Sequence, residues 1–461
     1  MKLSSREGRW LIAATVGASG MAFLDGSIVS LALPDVDRDL DAGLSGLQWT
    51  VNAYMLTLSS LVLVAGSLGD RLGRRRIFNV GVAWFGVASV LCAVAPSIEM
   101  LVAARALQGI GAALLTPGSL AIISSSIDQA DRGRAIGLWA GLSGVAAAVG
   151  PLMGGWLVDQ IGWRAIFWIN VPLVVATIVI SLRYVPETKG EQGRIDFGGA
   201  GLTVVSLAFL TYGLVVEDWI PTVAGLILLI AFVLHQWRTP HALVPLALFS
   251  DRVFTALNVC TFAIYGALAG GMFLLVLQLQ YVTGYSPLEA GLATLPPTIL
   301  LLLFSGRAGA LGERLGPRLP MTFGPLIAAL SMLLYLRVDA DAGIVEVLAP
   351  GVVFGIDLTI LVAPLTTSVL ASAPADQTGV ASGINNAVAR TAALLAVAAI
   401  PPLAGIAGDD FASPEVFSPG YRIGMMICAG MLAAAGVFAA AMIHKPERFA
   451  EVVQSPEQDV V

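Results

Sequence analysis

Charge is what this chain has least of. It carries 25 basic and 31 acidic residues in 461, or 12%, about half the usual share of soluble domains. So few charges cannot cover the surface of a soluble globule, and they exclude an extended disordered chain, which needs the opposite balance. The net charge of −6 and the lack of a basic stripe exclude a nucleic-acid binder. Lysine occurs three times, at Lys2, Lys189 and Lys445, and none ends a Gly-x-x-x-x-Gly-Lys-Ser/Thr run, so no P-loop is present. His235, His241 and His444 form neither a metal set nor a nucleophile set. Cys92, Cys260 and Cys428 fall in separate apolar runs, with no ligand spacing and no disulfide framework; they read as small packing residues. No metal site and no enzyme constellation is expected. Long polar stretches are missing too. No connection between apolar runs exceeds about twenty residues, which leaves no room for a soluble domain.

What fills the chain is apolar: 57% of residues are hydrophobic and the mean hydropathy is +0.84. Fourteen runs are long enough to cross about 30 Å of hydrocarbon. They cover 10–33, 46–69, 77–96, 100–126, 135–157, 165–182, 198–216, 220–237, 253–277, 290–306, 320–336, 347–371, 380–405 and 423–443. Backbone polar groups in lipid must be satisfied within the segment, so runs of this length are helices. They lack the alternation of barrel strands. The first run is too long for a cleaved signal and is read as retained. With the N-terminus inside, inner connections hold 19 Lys and Arg residues and outer ones 4. That asymmetry predicts both termini on the cytoplasmic side.

The chain repeats itself. Gly66–Arg75 aligns with Gly309–Arg318 at an offset of 243, with seven of ten positions identical and Asp70 matched by Glu313. A weaker echo pairs Ala130-Asp131 and Gly133 with Ala375-Asp376 and Gly379. The first loop follows run two and its copy follows run ten. Runs one to six therefore correspond to runs nine to fourteen, with runs seven and eight inserted. The expected organisation is a six-helix half over 1–185, a linker with two inserted helices over 186–252, a second six-helix half over 253–443, and a tail over 444–461. Parallel halves related by an axis along the membrane normal are a transporter architecture, with the substrate site between them.

Several motifs carry a family resemblance. Gly66–Arg76 resembles the inner-loop signature of the major facilitator superfamily, and Arg105-Ala-Leu-Gln108-Gly109-Ile-Gly111 its fourth-helix motif. Gly150-Pro151-Leu152-Met153-Gly154-Gly155, with Gly137 upstream, is similar to the fifth-helix antiporter motif, with Ala146 in place of a glycine. Leu24-Asp25-Gly26-Ser27 through Pro34 resembles the first-helix motif of the fourteen-helix drug:proton antiporters, with Ser27 and Ser30 where threonine and asparagine are usual. Trp49 with Tyr54, Trp163-Arg164 with Phe167 and Asn170, and Gly284–Pro287 followed by Ala290-Gly291 match the same family. Leu173 departs from a common glycine. The resemblance covers nearly the whole chain. It implies an all-α integral membrane protein of the major facilitator fold. It also implies a proton-coupled antiporter exporting hydrophobic or amphipathic compounds such as drugs or antibiotics, driven by a proton gradient with no cofactor.

Four charges lie inside the runs: Asp25, Arg105, Asp357 and Arg390. Each costs about 2.5–3.5 kcal/mol on insertion scales, so each should face the protein interior or a cavity. Asp25 is the best candidate for coupling, because a carboxyl there can hold a proton or a cation and exchange one for the other. The resemblance adds a coupling role for Arg105, whose other reading is a partner for backbone carbonyls or a carboxylate. Asp357 stands where the family commonly has glycine; it is either a second proton or cation site or the partner of Arg390. In the loop, Gly66, Asp70, Arg71, Gly73 and Arg74, with Glu313 and Arg314 in the copy, read as a gate latch or as plain topology signals. Gly137, Gly150, Pro151, Gly154 and Gly155 read as a close-packed seam. Asn52, Tyr54, Tyr265, Gln278, Gln280, Asn385 and Asn386 are candidate cavity residues. The expected partners are a small organic substrate, protons and membrane lipid, with no nucleic acid, in a bacterial plasma-membrane protein working as a monomer. Two alternatives stand beside this: an exporter dedicated to one metabolite or antibiotic, and a non-transporting membrane sensor or scaffold.

Overall fold

The computed structural model describes residues 1–190, 196–304, 316–374, 377–408 and 413–443. The copied loop, with Glu313 and Arg314, and the tail over 444–461 lie outside the described residues. Among the described residues, fourteen helices are long and apolar enough to cross a membrane: α1 Arg6–Leu40, α2 Gly43–Leu72, α3 Arg74–Ala93, α4 Ile98–Ser126, α5 Gln129–Gln160, α6 Ala165–Tyr184, α7 Phe197–Val215, α8 Trp219–Arg238, α9 Arg252–Val282, α10 Pro287–Phe304, α11 Arg318–Arg337, α12 Ile344–Ala371, α13 Thr378–Leu403 and α14 Pro414–Met442. Each overlaps one apolar run of the sequence. The largest difference is α14, which starts at Pro414 rather than near 423. Glu415 and Arg422 cut the apolar run short, yet the helix simply continues past the hydrocarbon with these charges on its exposed flank.

Local chemistry explains where helices begin. Ser5, Ser97 and Asp251 accept from the backbone N–H of Gly8, Met100 and Phe254 and cap α1, α4 and α9. Ser286 and Glu289 form a capping box at α10, with Pro287 in the first turn. Gly73 ends α2 at φ +115°, a conformation side chains resist, and α3 restarts at once.

Two helix groups repeat the same packing with labels shifted by eight. In the first, α1 packs on α5 and α6, and α3 packs on α4 and α6. In the second, α9 packs on α13 and α14, and α11 packs on α12 and α14. The groups meet along two seams, α2 against α13 and α5 against α10. The inserted helices pair with each other, and α7 docks on both α2 and α13. Leu207 and Leu210 of α7 bury against Leu56 of α2 and Leu394 of α13. Helix α8 keeps much of its apolar surface open, with Ile227, Ile230 and Trp237 exposed, as a lipid-facing helix should.

Both seams are tied together at one end. At the end opposite the arginine-rich loop, Gln48 Nε2 donates to Val397 O (2.9 Å), Gln280 Nε2 to Leu31 O (3.0 Å) and Tyr281 OH to Asp37 (2.9 Å). A Cβ on Gly155 would lie 2.6 Å from Pro287 O, and one on Gly291 would lie 2.4 Å from Pro151 O. Only glycine permits such backbone contact between α5 and α10. Toward the arginine-rich end α5 turns outward: Leu138, Leu142, Val145 and Val149 are exposed, and Gly137 and Gly141 face open space.

Candidate functional site

Five helices build one polar cluster inside the first group. Arg105 Nη1 donates to Asp25 Oδ2 at 2.5 Å and to Gln108 Oε1 at 2.6 Å, and Arg105 Nε donates to Thr50 O at 3.0 Å. Gln108 Nε2 donates to Asp25 Oδ1 at 2.8 Å and to Ser89 Oγ at 3.0 Å. Asn170 Nδ2 donates to Ser89 Oγ at 3.3 Å. The guanidinium carbon stands 4.4 Å from the centre of the Tyr54 ring. Arg105 is 1% exposed and Asp25 4%. Both carboxylate oxygens of Asp25 therefore have charged or amide donors, which makes a saturated buried pair. Gln108 belongs to the fourth-helix motif but is not among the candidate residues read from the sequence. Its position three residues after Arg105 puts it on the same helix face, and that spacing is the signal the sequence offers.

Asp357 is the opposite case. It is fully buried in α12, and neither carboxylate oxygen has a hydrogen-bond partner. A Cβ on Gly324 of α11 would sit 3.0 Å from its Oδ1. It makes no ion pair with Arg390 here, so the direct pairing held open from the sequence is absent from this conformation.

Arg390 instead lines a cavity of about 320 Å³ between the two groups. Phe23 of α1 and Met55 of α2 form its wall on one side, and Tyr265, Asn385 and Asn386 contribute from the other. Asn385 Nδ2 is held by Thr261 Oγ1 (2.8 Å) and Asn258 Oδ1 (3.2 Å). The remaining cavity candidates lie elsewhere. Tyr54 is spent on Arg105, and Asn52 is fully buried with no partner for its amide. Gln278 donates to Val338 O from a π-helical turn, Gln278–Val282, that ends α9 at the closed end, and Gln280 bridges to α1 there. The π turn re-aims both side chains, which a 3.6-residue period does not foresee.

The signature loop is occupied by a segment the sequence did not single out. Asp70 Oδ1 takes a 2.7 Å contact from Arg74, inside its own loop. The strand of chain after α6 lies across it. Glu187 accepts from the backbone N–H of Arg75 (3.0 Å), Arg74 N–H donates to Thr188 O (2.9 Å), and Gly190 N–H donates to Asp70 O (2.9 Å). Arg71 is exposed. In α5, Gly150 and Gly154 admit Ser27 and Ile28 of α1, while Gly155 and Pro151 meet α10.

Twelve apolar helices in two repeated groups around a shared cavity, with two more inserted between them, define a multi-pass membrane transporter, and comparison places it. The sequence model of the Major Facilitator Superfamily matches residues 15–397, and the chain belongs to that family. It is 35% identical to the multidrug resistance protein Stp of Mycobacterium tuberculosis over 80% of this chain and 70% of that one. It is 33% identical to the tetracenomycin C resistance and export protein of Streptomyces glaucescens (87% and 77%). It is 32% identical to the methylenomycin A resistance protein of Bacillus subtilis (92% of each). Among solved structures, a POT family transporter in complex with a thioalcohol-conjugated peptide superposes with TM-score 0.73 at 13% identity, covering 96% of this chain and 99% of that one. A D-xylose-proton symporter gives 0.69 at 14% identity (95% and 98%). At such identity these structures speak for the fold.

Proposed function

We propose that the chain is a proton-coupled antiporter of a bacterial plasma membrane that exports hydrophobic or amphipathic organic compounds, works as a monomer, and keeps both termini in the cytoplasm. The observation that carries this is the inter-group cavity, mostly apolar with a few amides and one cation, in a family whose similar members are named for resistance to, or export of, such compounds. The 19-to-4 distribution of Lys and Arg supports the orientation. In that orientation the cavity opens to the cytoplasm, the side from which an exporter loads. Asp25 and Asp357 are the acids at membrane depth that can carry the exchanged proton, with Arg105 and Arg390 as the cations that act on them or on the substrate. The loop at Asp70 and the α5–α10 seam serve as the two gates.

A dedicated exporter of one compound is the second reading. It is favoured by relatives named for single antibiotics, tetracenomycin C and methylenomycin A among them. Purified protein in vesicles under a pH gradient separates the two by how many compounds of a dye and antibiotic panel drive proton movement. Cellular export that ignores a protonophore would overturn proton coupling. Zero flux with every compound would return the chain to the sensor class.

A further inference from the structure

Arg390 has no partner. It lies at mid-length of α13 on the cavity wall, and no hydrogen bond or ion pair joins it to any other described residue. Its guanidinium stays charged at any physiological pH. Both acids at membrane depth are out of reach: Asp25 is saturated by Arg105 and Gln108, and Asp357 is sealed against α11. The cavity therefore presents one full positive charge, no negative charge, and neutral donors and acceptors from Tyr265, Ser382 and Asn386 on an apolar ground of Phe23 and Met55.

A second orphan lies behind the cavity wall. Helices α2 and α13 run antiparallel, with Gln48 bonded to the carbonyl of Val397 and Leu63 against Gly383. That register sets Met55 opposite Arg390 and Asn52 about one turn away, opposite Ala393 and Leu394. Asn52 is fully buried, does not line the cavity, and both its amide oxygen and its nitrogen lack partners. The cation without a counter-ion on the cavity wall is the cost that an acidic ligand group removes.

We propose that Arg390 forms the recognition point for an acidic group, a carboxylate or an ionised phenol, on an aromatic organic anion seated in the cavity. This rests on the transport reading above and names its substrate class. A planar guanidinium takes a carboxylate through two parallel hydrogen bonds. The volume suits a compound of two or three fused rings. A lipophilic cation, by contrast, would meet like charge there.

The test uses a size-matched pair, anthracene-9-carboxylate and 9-(aminomethyl)anthracene, with binding to the full chain in lipid nanodiscs read by fluorescence. The expected result is at least about tenfold tighter binding of the carboxylate, the effect of one charge-assisted hydrogen bond. Arg390→Gln abolishes the preference, Arg390→Lys keeps part of it, and Asn52→Leu, behind the cavity wall, leaves it unchanged. If Arg390→Gln does not fold, the wild-type ratio and Arg390→Lys decide the matter. Equal or tighter binding of the amine overturns the proposal, as does an unchanged preference in Arg390→Gln or no binding of either compound. The transport reading is judged apart, by proton movement in vesicles. Protons exchanged for the amine but not for the carboxylate would keep the antiporter and remove the anion site.

Discussion

The Asp25–Arg105 pair supports a quantitative prediction. Asp25→Asn leaves a fully buried guanidinium with Gln108 and Thr50 O as acceptors and no counter-charge. At an effective dielectric of about 20, two unit charges about 4 Å apart attract by about 4 kcal/mol. Removing one member of a buried pair costs about 3–5 kcal/mol, because the survivor is stranded. Arg105→Gln strands the carboxylate in the same way. The double variant Asp25→Asn/Arg105→Gln contains two neutral amides that still bond to each other or to Gln108, so it should cost far less than the two single changes together. The expected coupling energy is about 2–4 kcal/mol. Neutral hydrogen bonds between membrane helices average only about 0.6 kcal/mol and reach about 1.7. A coupling above about 2 kcal/mol therefore marks an ion pair and not an ordinary polar contact. The assay is reversible unfolding of the purified protein in mixed micelles, with all four members of the cycle measured at one pH. Additivity within about 0.5 kcal/mol would refute the reasoning, since independent sites add to that tolerance.

Asp357→Leu removes an acid with no partner to lose, so folded stability should rise by about 1–3 kcal/mol while the proton dependence of transport changes; a loss of stability in the same unfolding assay would count against an orphaned carboxyl. Gly155→Val drives a side chain into Pro287 O and Leu288 Cα, so it should prevent closure of the α5–α10 seam, abolish transport and expose a reporter cysteine placed at Leu288. Asp70→Asn and Glu187→Gln should insert normally, as judged by membrane yield, yet lose transport, since the first removes the Asp70–Arg74 ion pair within the signature loop and the second loosens the segment laid over it. At the base of the inserted pair, burial opposes ionisation of Asp196, but hydrogen bonds from Gly199 N–H, His235 and Gln236 outweigh it and hold the carboxyl below its usual range. A folded value below the unfolded one stabilises above about pH 4 and loses that stabilisation as pH falls through the folded value. Thermal unfolding should show this acid limb in the wild type, reduced in Asp196→Asn.

Much of this fold was legible because lipid imposes length, and length survives any detail of packing. All fourteen runs could be read from apolar stretches alone. Site partners were harder. The sequence marks that Asp25 and Arg105 are charged at membrane depth, but their contact spans helices eighty residues apart, and the azimuth of each helix depends on packing. Asp357 and Asp25 are both lone acids in apolar runs, and the sequence does not tell which one is paired; the neighbours, Gly324 for one and Gln108 for the other, decide that. Gln278 and Gln280 looked like cavity amides because a polar residue in an apolar run invites that reading. A single π turn sends them to carbonyls at the closed end.

The place where α7 docks gives the two seams unequal neighbours. Along α2 and α13 a wall of protein stands between the cavity and the bilayer, and any sideways opening there must displace Leu207 and Leu210. Along α5 and α10 the flank is bordered by exposed Leu142, Val149 and Leu152, with α7 and α8 docked on the other side. The inserted pair therefore makes the molecule one-sided: one seam is backed by protein, and the other borders directly on lipid-facing side chains.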